Sequence, residues 1–143
     1  MRFIHASDLH IDSPLRGLDR YDGAPVERLR SATRSALERL VDKALAERVD
    51  FLLLAGDIYD RDWQDFHTGL FFRGQMVRLE RAGIRCFIVQ GNHDAQGVIS
   101  RQLTLPSNVT VFSSRAAQTV NLDDLSVAIH GRSFPGREVS EDL

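Results

Sequence analysis

Three short, largely apolar runs lie in the first two thirds of the chain, and each is followed at once by polar residues. The runs are RFIHA at residues 2–6, FLLLA at 51–55 and IRCFIV at 84–89. Apolar runs of this length are typical of strands buried on both faces, as in a parallel sheet. We therefore predict a strand at each of the three positions.

Two segments with helical periodicity separate these runs. Apolar residues between positions 26 and 45 recur at steps of three and four, which places them on one face of a helix. Pro25 suits the first helical position of this segment. A second helix is predicted from Asp62 as N-cap to Ala82, with Gly83 ending it. The order βαβαβ predicts a parallel sheet with right-handed crossovers.

The pattern changes after residue 94. A short helix and three further strands are predicted at residues 98–103, 109–112, 119–122 and 126–130. Asp123 and Asp124 lie between the last two strands, which is typical of a hairpin. The chain has no repeat, linker or low-complexity segment, so we expect residues 1–143 to form one domain or part of one.

Composition narrows the function classes. The net charge is −2, so no overall basic field attracts nucleic acid. No apolar run is long enough to span a bilayer, and we expect no membrane contact. Cys86 is the single cysteine, which excludes a disulfide within one chain and fits a reducing compartment, so a cytoplasmic location is expected. We interpret Cys86 as a small buried apolar residue.

The candidate chemistry lies directly behind the three strands, in SDLH, GDIYD and GNHD. The carboxyl ends of parallel strands meet at one edge of the sheet. We therefore expect six side chains to converge there: Asp8, His10, Asp57, Asn92, His93 and Asp94. An aspartate after a strand is commonly only a turn or cap residue. Three such clusters in succession, one of them pairing His with Asp, favour a functional site.

Carboxylates gathered at one place repel each other unless a cation or a proton intervenes. Asp, His and Asn offer oxygen and nitrogen ligands without a thiolate, a set that suits manganese, iron or zinc. A carboxylate can bridge two ions about 3.5–4 Å apart in hydrolytic sites. We predict Asp57 as the bridge and Asn92 as a ligand of the second ion. His93 would face the substrate, with Asp94 holding its imidazole ring.

The motifs D-x-H, G-D-x-x-D and G-N-H-D, in this order, resemble the first three motifs of the calcineurin-like metallophosphoesterases. More narrowly, ASDLHIDSPLRGL, GDIYDRD and QGNHD resemble bacterial DNA repair exonucleases of the SbcD/YhaO type. The resemblance covers residues 3–94. It implies an α/β/β/α sandwich, here incomplete, with a βαβαβ core plus following strands. It also implies two divalent metal ions, most often Mn²⁺, and often a coiled-coil, SMC-like ATPase partner.

Carried over by matching motif, the resemblance assigns four metal ligands, namely Asp8, His10, Asp57 and Asn92. It assigns His93 as the catalytic histidine, supported by Asp94. Asp60 closes the second motif, and we expect it to support the site or cap the next helix rather than bind metal. Arginines flanking the motif loops are candidates for contacts with DNA phosphates, with solvated surface charge as the alternative: Arg16, Arg20 and Arg61.

Histidines from later family motifs, of the G-H and G-H-x-H type, have no counterpart in this sequence. We interpret the remaining histidines as packing or surface residues: His5, His67 and His130. The chain therefore resembles the amino-terminal part of a larger enzyme, and alone it is expected to be weakly active or inactive. An open sheet edge would allow pairing with another chain, including a second copy in a homodimer.

The function predicted from these features is metal-dependent hydrolysis of phosphodiester bonds, as a DNA exonuclease in DNA repair. A metal-activated water would be the nucleophile, and His93 would assist the leaving group. Two alternatives stay open. One is a phosphatase or small-molecule phosphodiesterase of the same superfamily, and the other is a catalytically incomplete fragment that acts as a binding module.

Overall fold

The computed structural model describes residues 1–13, 25–59, 66–92, 94 and 103–136. Its strands and helices, in chain order, are β1 (Phe3–Ser7), α1 (Val26–Glu47), β2 (Phe51–Ala55), α2 (Phe66–Arg81), β3 (Arg85–Val89), β4 (Val109–Val111), β5 (Gln118–Leu122) and β6 (Val127–Gly131). All the predicted strands are present within one or two residues of the expected bounds. Of the predicted helix at 98–103, only residue 103 is described, and it is not helical. The predicted start of α2 at Asp62 lies outside the described residues.

Four strands form a parallel sheet in the order β1-β2-β3-β4, which confirms the predicted βαβαβ arrangement. The register aligns the last residues of the first three strands, because Ser7 pairs with Ala55 and Ala55 pairs with Val89. The polar segments that follow these strands therefore leave the sheet side by side. This alignment is the feature of the fold that positions the site.

The two helices cover one face of the sheet. Alternate strand residues such as Leu52 and Leu54 point to this face and are buried, as the period of two in a strand requires. The helices contribute buried apolar side chains to the same core: Leu37, Val41 and Ala44 from α1, and Phe72, Met76 and Leu79 from α2. Cys86 is fully buried here, and burial raises the pKa of its thiol to about 12. Its interpretation as a core residue is confirmed.

The opposite face of the sheet packs against the antiparallel hairpin of β5 and β6. The intervening residues of β2 and β3, Phe51 and Phe87, form a second core with Phe112 and Leu122. A short 3₁₀ turn at Asp123–Leu125 closes the hairpin where two aspartates were expected in the loop. The described residues thus form helix, sheet and sheet layers, three of the four layers that the resemblance implies.

Two helix ends with a predicted sequence signal lie in the described residues, and one of them agrees with its signal. Gly83, with φ of 71°, follows the end of α2 as predicted. Pro25 precedes the first helical residue of α1 instead of occupying it, so that prediction was wrong by one position. Proline has no backbone N–H. Its position just before α1 still costs the helix nothing, because an N–H at this end would have no acceptor within the helix. No helix in the described ranges has the length and apolar composition to cross a membrane.

Candidate metal centre

The pairing of β1 with β2 continues past the ends of both strands. The backbone N–H of Asp8 donates to the carbonyl of Gly56 at 3.2 Å, and that of His10 donates to the carbonyl of Asp57 at 3.0 Å. One step further, Ile11 donates to Ile58 at 2.9 Å. The first two polar loops therefore run side by side, and their side chains are brought to one place by backbone bonds.

Three of the predicted ligands come together at this edge of the sheet. Asp8, His10 and Asp57 each offer a ligand atom, and these atoms lie within 4.8 Å of one another. Asp8 is exposed, whereas His10 and Asp57 are half-buried. Two carboxylates and an imidazole at this spacing form a suitable donor set for a divalent cation, which would also remove the repulsion between the carboxylates. Asp8, His10 and Asp57 therefore fit the predicted divalent metal ion.

The same three residues have an unusual backbone conformation. The φ angles of Asp8, His10 and Asp57 are 54°, 42° and 50°, in the left-handed region. This region costs roughly 1–2 kcal/mol for most residues with a Cβ atom, and Asp and His adopt it several-fold more often than other residues. Such strain persists only where the surrounding structure imposes it, and it is concentrated at functional sites. Arg48 and Ser126 adopt the same conformation at ordinary helix caps, so the convergence of the ligand atoms, and not the backbone conformation, distinguishes the site.

Gly91 allows the loop after β3, called the third loop below, to approach the loop after β2, called the second loop. A Cβ atom added at Gly91 would overlap the Oδ1 atom of Asp57 and lie 2.7 Å from its backbone nitrogen. A Cβ added at Gly56 would lie 3.2 Å from the Cα of Gly91. The absence of a side chain at these two glycines therefore lets the two loops approach each other closely. Asn92, half-buried, follows directly, so the fourth predicted ligand lies on the same edge.

Asp94 ties the third loop to the second. Its Oδ2 atom accepts hydrogen bonds from the N–H groups of Ile58 at 3.2 Å and Gly91 at 3.1 Å, and its Oδ1 atom accepts one from Tyr59 at 3.0 Å. The side chain is only 2% exposed. Burial raises the pKa of Asp94, the three N–H bonds act in the opposite direction, and the charge of Asp57 raises the pKa further.

The sequence predicts that Asp94 supports His93, and it does not predict that Asp94 holds the second and third loops together. This second function is called the clamp below. His93 lies outside the described residues, so its contact with Asp94 stays a prediction. Asp60 and three arginines, Arg16, Arg20 and Arg61, also lie outside them. A local signal for part of the clamp does exist, because an aspartate three residues after a glycine can accept that glycine's N–H. No sequence pattern indicates the bonds that Asp94 accepts from Ile58 and Tyr59.

The histidines interpreted as packing or surface residues lie outside the cluster. His5 is exposed on β1, and His67 is exposed on α2. His130 lies on the hairpin, where its Nδ1 atom is 2.8 Å from the Oγ1 atom of Thr119.

A protein-family model described as calcineurin-like phosphoesterase matches residues 1–138. The chain belongs to this family. The finding confirms the family inferred from the three motifs and agrees with the α/β architecture built around them. In a metallophosphoesterase, the convergence of Asp8, His10 and Asp57 is the expected arrangement of a divalent metal site.

Two bacterial relatives are similar to the chain. It is 34% identical over 145 aligned residues to the metallophosphoesterase YhaO of Bacillus subtilis (strain 168), covering 99% of this chain and 36% of YhaO. It is 28% identical over 117 residues to the SbcD subunit of the nuclease SbcCD from Escherichia coli (strain K12), covering 80% of this chain and 27% of SbcD. The chain therefore spans well under half the length of each relative.

Proposed function

We propose that the protein hydrolyses phosphodiester bonds in a metal-dependent reaction and acts on DNA as an exonuclease. The observation that carries the proposal is the cluster of Asp8, His10 and Asp57 within 4.8 Å at the carboxyl edge of the parallel sheet. The backbone bonds from Asp8 to Gly56 and from His10 to Asp57 support it, because they hold the two loops side by side.

In this proposal, Asp8 and His10 would hold one divalent cation, Asn92 would hold a second, and Asp57 would be a ligand of both. Mn²⁺ is the metal we propose, since hard oxygen and imidazole donors suit it. Bound divalent cations supply two things, an easier deprotonation of water and neutralisation of phosphate charge. Asp94 keeps the second and third loops in register through its three N–H bonds, which fixes Asn92 relative to Asp57.

The remaining chemistry falls to His93, which is proposed to donate a proton to the leaving oxygen. A general acid of this kind contributes about 10²–10⁴-fold to a rate. We also propose that Arg16, Arg20 and Arg61 contact phosphates of the substrate. Local arginines would matter here, because the net charge of −2 gives no general attraction for a polyanion.

DNA is favoured as the substrate because one relative, similar over 80% of this chain, is named a nuclease subunit. The same name describes one subunit of a larger nuclease, and we propose a coiled-coil, SMC-like ATPase as partner for this protein as well. The described sheet ends at β1, an edge strand with the exposed apolar residue Phe3, so we also propose pairing of two copies there. A cytoplasmic location is proposed from the single, buried cysteine.

A small phosphate ester is the second candidate substrate. The relative that is 34% identical is named a metallophosphoesterase, and its name states no nuclease activity. Metal ions held by Asp8, His10 and Asp57 would act on the phosphate itself, which a nucleotide ester and a DNA strand have in common. Phosphatase and small-molecule phosphodiesterase activities therefore share the same predicted centre.

The test compares two substrates with the protein as its gene encodes it, in Mn²⁺ buffer: end-labelled linear duplex DNA and a chromogenic phosphodiester. We expect progressive loss of DNA from its ends. Asp57→Asn should lower the rate of hydrolysis about 100-fold or more, because it removes the negative charge of the carboxylate that both cations would share. Asp123→Asn, on the distant hairpin turn, is the matched control and should behave like the wild type. Hydrolysis of the small ester alone would favour the second candidate, and inactivity on both would refute hydrolysis.

A further inference from the structure

A polar network connects the loop after β1, which carries Asp8 and His10 and is called the first metal loop below, to both helices. Asp12 lies two residues after His10, and its carboxylate accepts hydrogen bonds from the Nε atom of Arg34 at 2.7 Å and 2.9 Å. The Nη2 atom of Arg34 and the hydroxyl of Thr68 each donate to its Oδ2 atom at 2.5 Å. Arg34 belongs to α1 and Thr68 to the first turn of α2. One carboxylate of the loop therefore binds two separate helices.

The partners of Asp12 are themselves held in place. Thr68 is fully buried, and the guanidinium of Arg34 lies over the ring of Phe71 at 5.0 Å from its centre. The backbone N–H of Asp12 donates to the Oγ1 atom of Thr33 at 3.1 Å. A two-pronged arginine bond to a carboxylate fixes direction as well as distance. The side chain of Asp12, 11% exposed, is thus fixed in position and orientation.

Asp12 also shares the backbone conformation of the ligands. Its φ angle is 58°, so left-handed residues alternate along the loop at Asp8, His10 and Asp12. Such a sequence of conformations is unfavourable for residues with a Cβ atom and persists only where surrounding contacts impose it. Ile11, fully buried, supplies an apolar contact between the last two of them. Asp12 supplies the polar contact that closes the loop.

We propose that Asp12, held by Arg34 and Thr68, is a positioning residue of the metal centre. It keeps the first metal loop in the conformation that directs Asp8 and His10 toward Asp57. The inference rests on the proposed metal binding, and it adds residues that the family motifs do not include. Through Thr68, the network also joins the first metal loop to the helix that follows the loop of Asp57.

The location of the network favours this role over a general structural one. The helices already pack on the sheet through a continuous apolar core, so holding them together does not require the ion pair. In a βαβ unit the amino-terminal ends of the helices lie at the carboxyl edge of the sheet, which is the edge of the metal cluster. Thr68, in the first turn of α2, contacts the loop at that edge, so loss of the network should disturb the ligands before the fold.

The test measures Mn²⁺ binding by electron paramagnetic resonance titration in the protein as its gene encodes it. Asp12→Asn keeps the size of the side chain but removes its charge. We expect its dissociation constant for Mn²⁺ to rise about 10–100-fold, the usual effect of residues that orient metal ligands. Arg34→Lys and Thr68→Val should raise it less. Asp42→Asn is the matched control, because it removes a similar 2.5 Å ion pair with Arg78 from an exposed face.

A second measurement is made without metal, by hydrogen exchange in EDTA. The amide of Ile11, bonded to Ile58, should exchange faster in Asp12→Asn than in the wild type, while amides of β2 keep their protection. Unchanged Mn²⁺ affinity and unchanged Ile11 exchange would overturn the inference and leave the proposed function intact. A lower unfolding temperature with unchanged affinity would mean a purely structural role.

Two further outcomes separate this inference from the proposal on which it rests. If the wild-type protein binds no Mn²⁺, both the metal centre and the positioning role are overturned. If Asp12→Asn does not fold, Arg34→Lys and Thr68→Val carry the test, because both retain the carboxylate. Wild-type affinity for Mn²⁺ in both of these variants would then overturn the positioning role alone.

Discussion

Replacing Gly91 by alanine should disrupt the centre although it adds only one methyl group. The new Cβ would overlap the Oδ1 atom of Asp57 and lie 2.7 Å from its backbone nitrogen, a distance that real Cβ atoms essentially never show. The backbone of Gly91 has no positive φ, so the effect comes from the overlap and not from backbone conformation. Overpacking of this kind costs about 1–3 kcal/mol. We expect the upper part of that range, because one of the obstructing atoms belongs to the backbone.

The matched control is the same substitution at Gly74. This residue lies within α2, and an added Cβ would meet no atom within 4 Å. Alanine in a helix interior is favoured over glycine by about 0.5–1 kcal/mol, so Gly74→Ala should stabilise the protein. The two substitutions therefore have opposite expected signs and differ by about 2–4 kcal/mol.

The assay is urea unfolding in EDTA, with the midpoint and slope determined for each variant, followed by Mn²⁺ titration. Gly91→Ala should lower the midpoint at an unchanged slope and weaken Mn²⁺ binding at least tenfold, since Asp57 must move. Gly74→Ala should raise the midpoint and leave the affinity unaltered. A Gly91→Ala protein with wild-type stability and wild-type affinity would refute the close contact between the second and third loops.

Three further predictions concern other parts of the structure. Asp94→Ala leaves three buried N–H groups without their acceptor and should lower the free energy of unfolding, measured in urea, by about 3 kcal/mol. Cys86, with a thiol pKa raised to about 12, should not react with a disulfide reagent at pH 8 until the protein is unfolded in guanidinium. Arg85 lowers the pKa of Asp124 in the folded state, so its stabilisation is present at neutral pH and is lost as pH falls through that lowered pKa. The difference in melting temperature between the wild type and Asp124→Asn should therefore shrink from pH 7 to pH 3.

Each of these predictions has a result that would contradict it. Wild-type stability of Asp94→Ala would mean that the carboxylate does not hold the two loops together. Rapid labelling of Cys86 in the native protein would contradict its burial in the core. A difference for Asp124→Asn that stays constant or grows toward low pH would show that the bond to Arg85 does not lower the carboxyl pKa.

The sheet and helices could be predicted from the sequence because their signals are local. The run FLLLA gave β2 its observed bounds, and Gly83 marked the end of α2 through its own backbone conformation. The assembly of Asp8, His10 and Asp57 followed from one topological rule, that parallel strands deliver their carboxyl ends to one edge. Local pattern and this rule were sufficient for the site's location.

The contacts that give the site its shape depend on residues distant in sequence, and no local pattern indicates them. Asp94 bonds to residues 35 and 36 positions earlier, and Thr68 bonds to Asp12 across 56 positions. The left-handed conformations of the ligands are uncommon even for Asp and His, so propensity alone does not predict them. Tertiary contacts impose them, and only the folded structure contains those contacts.

The most direct measurement for the central claim is the location of Mn²⁺ by anomalous X-ray diffraction from crystals of the protein grown with that ion. Our account predicts an anomalous peak at bonding distance from the side chains of Asp8, His10 and Asp57, and its disappearance in Asp57→Asn. Anomalous peaks only at other positions, or no peak near these three side chains at saturating Mn²⁺, would contradict the account.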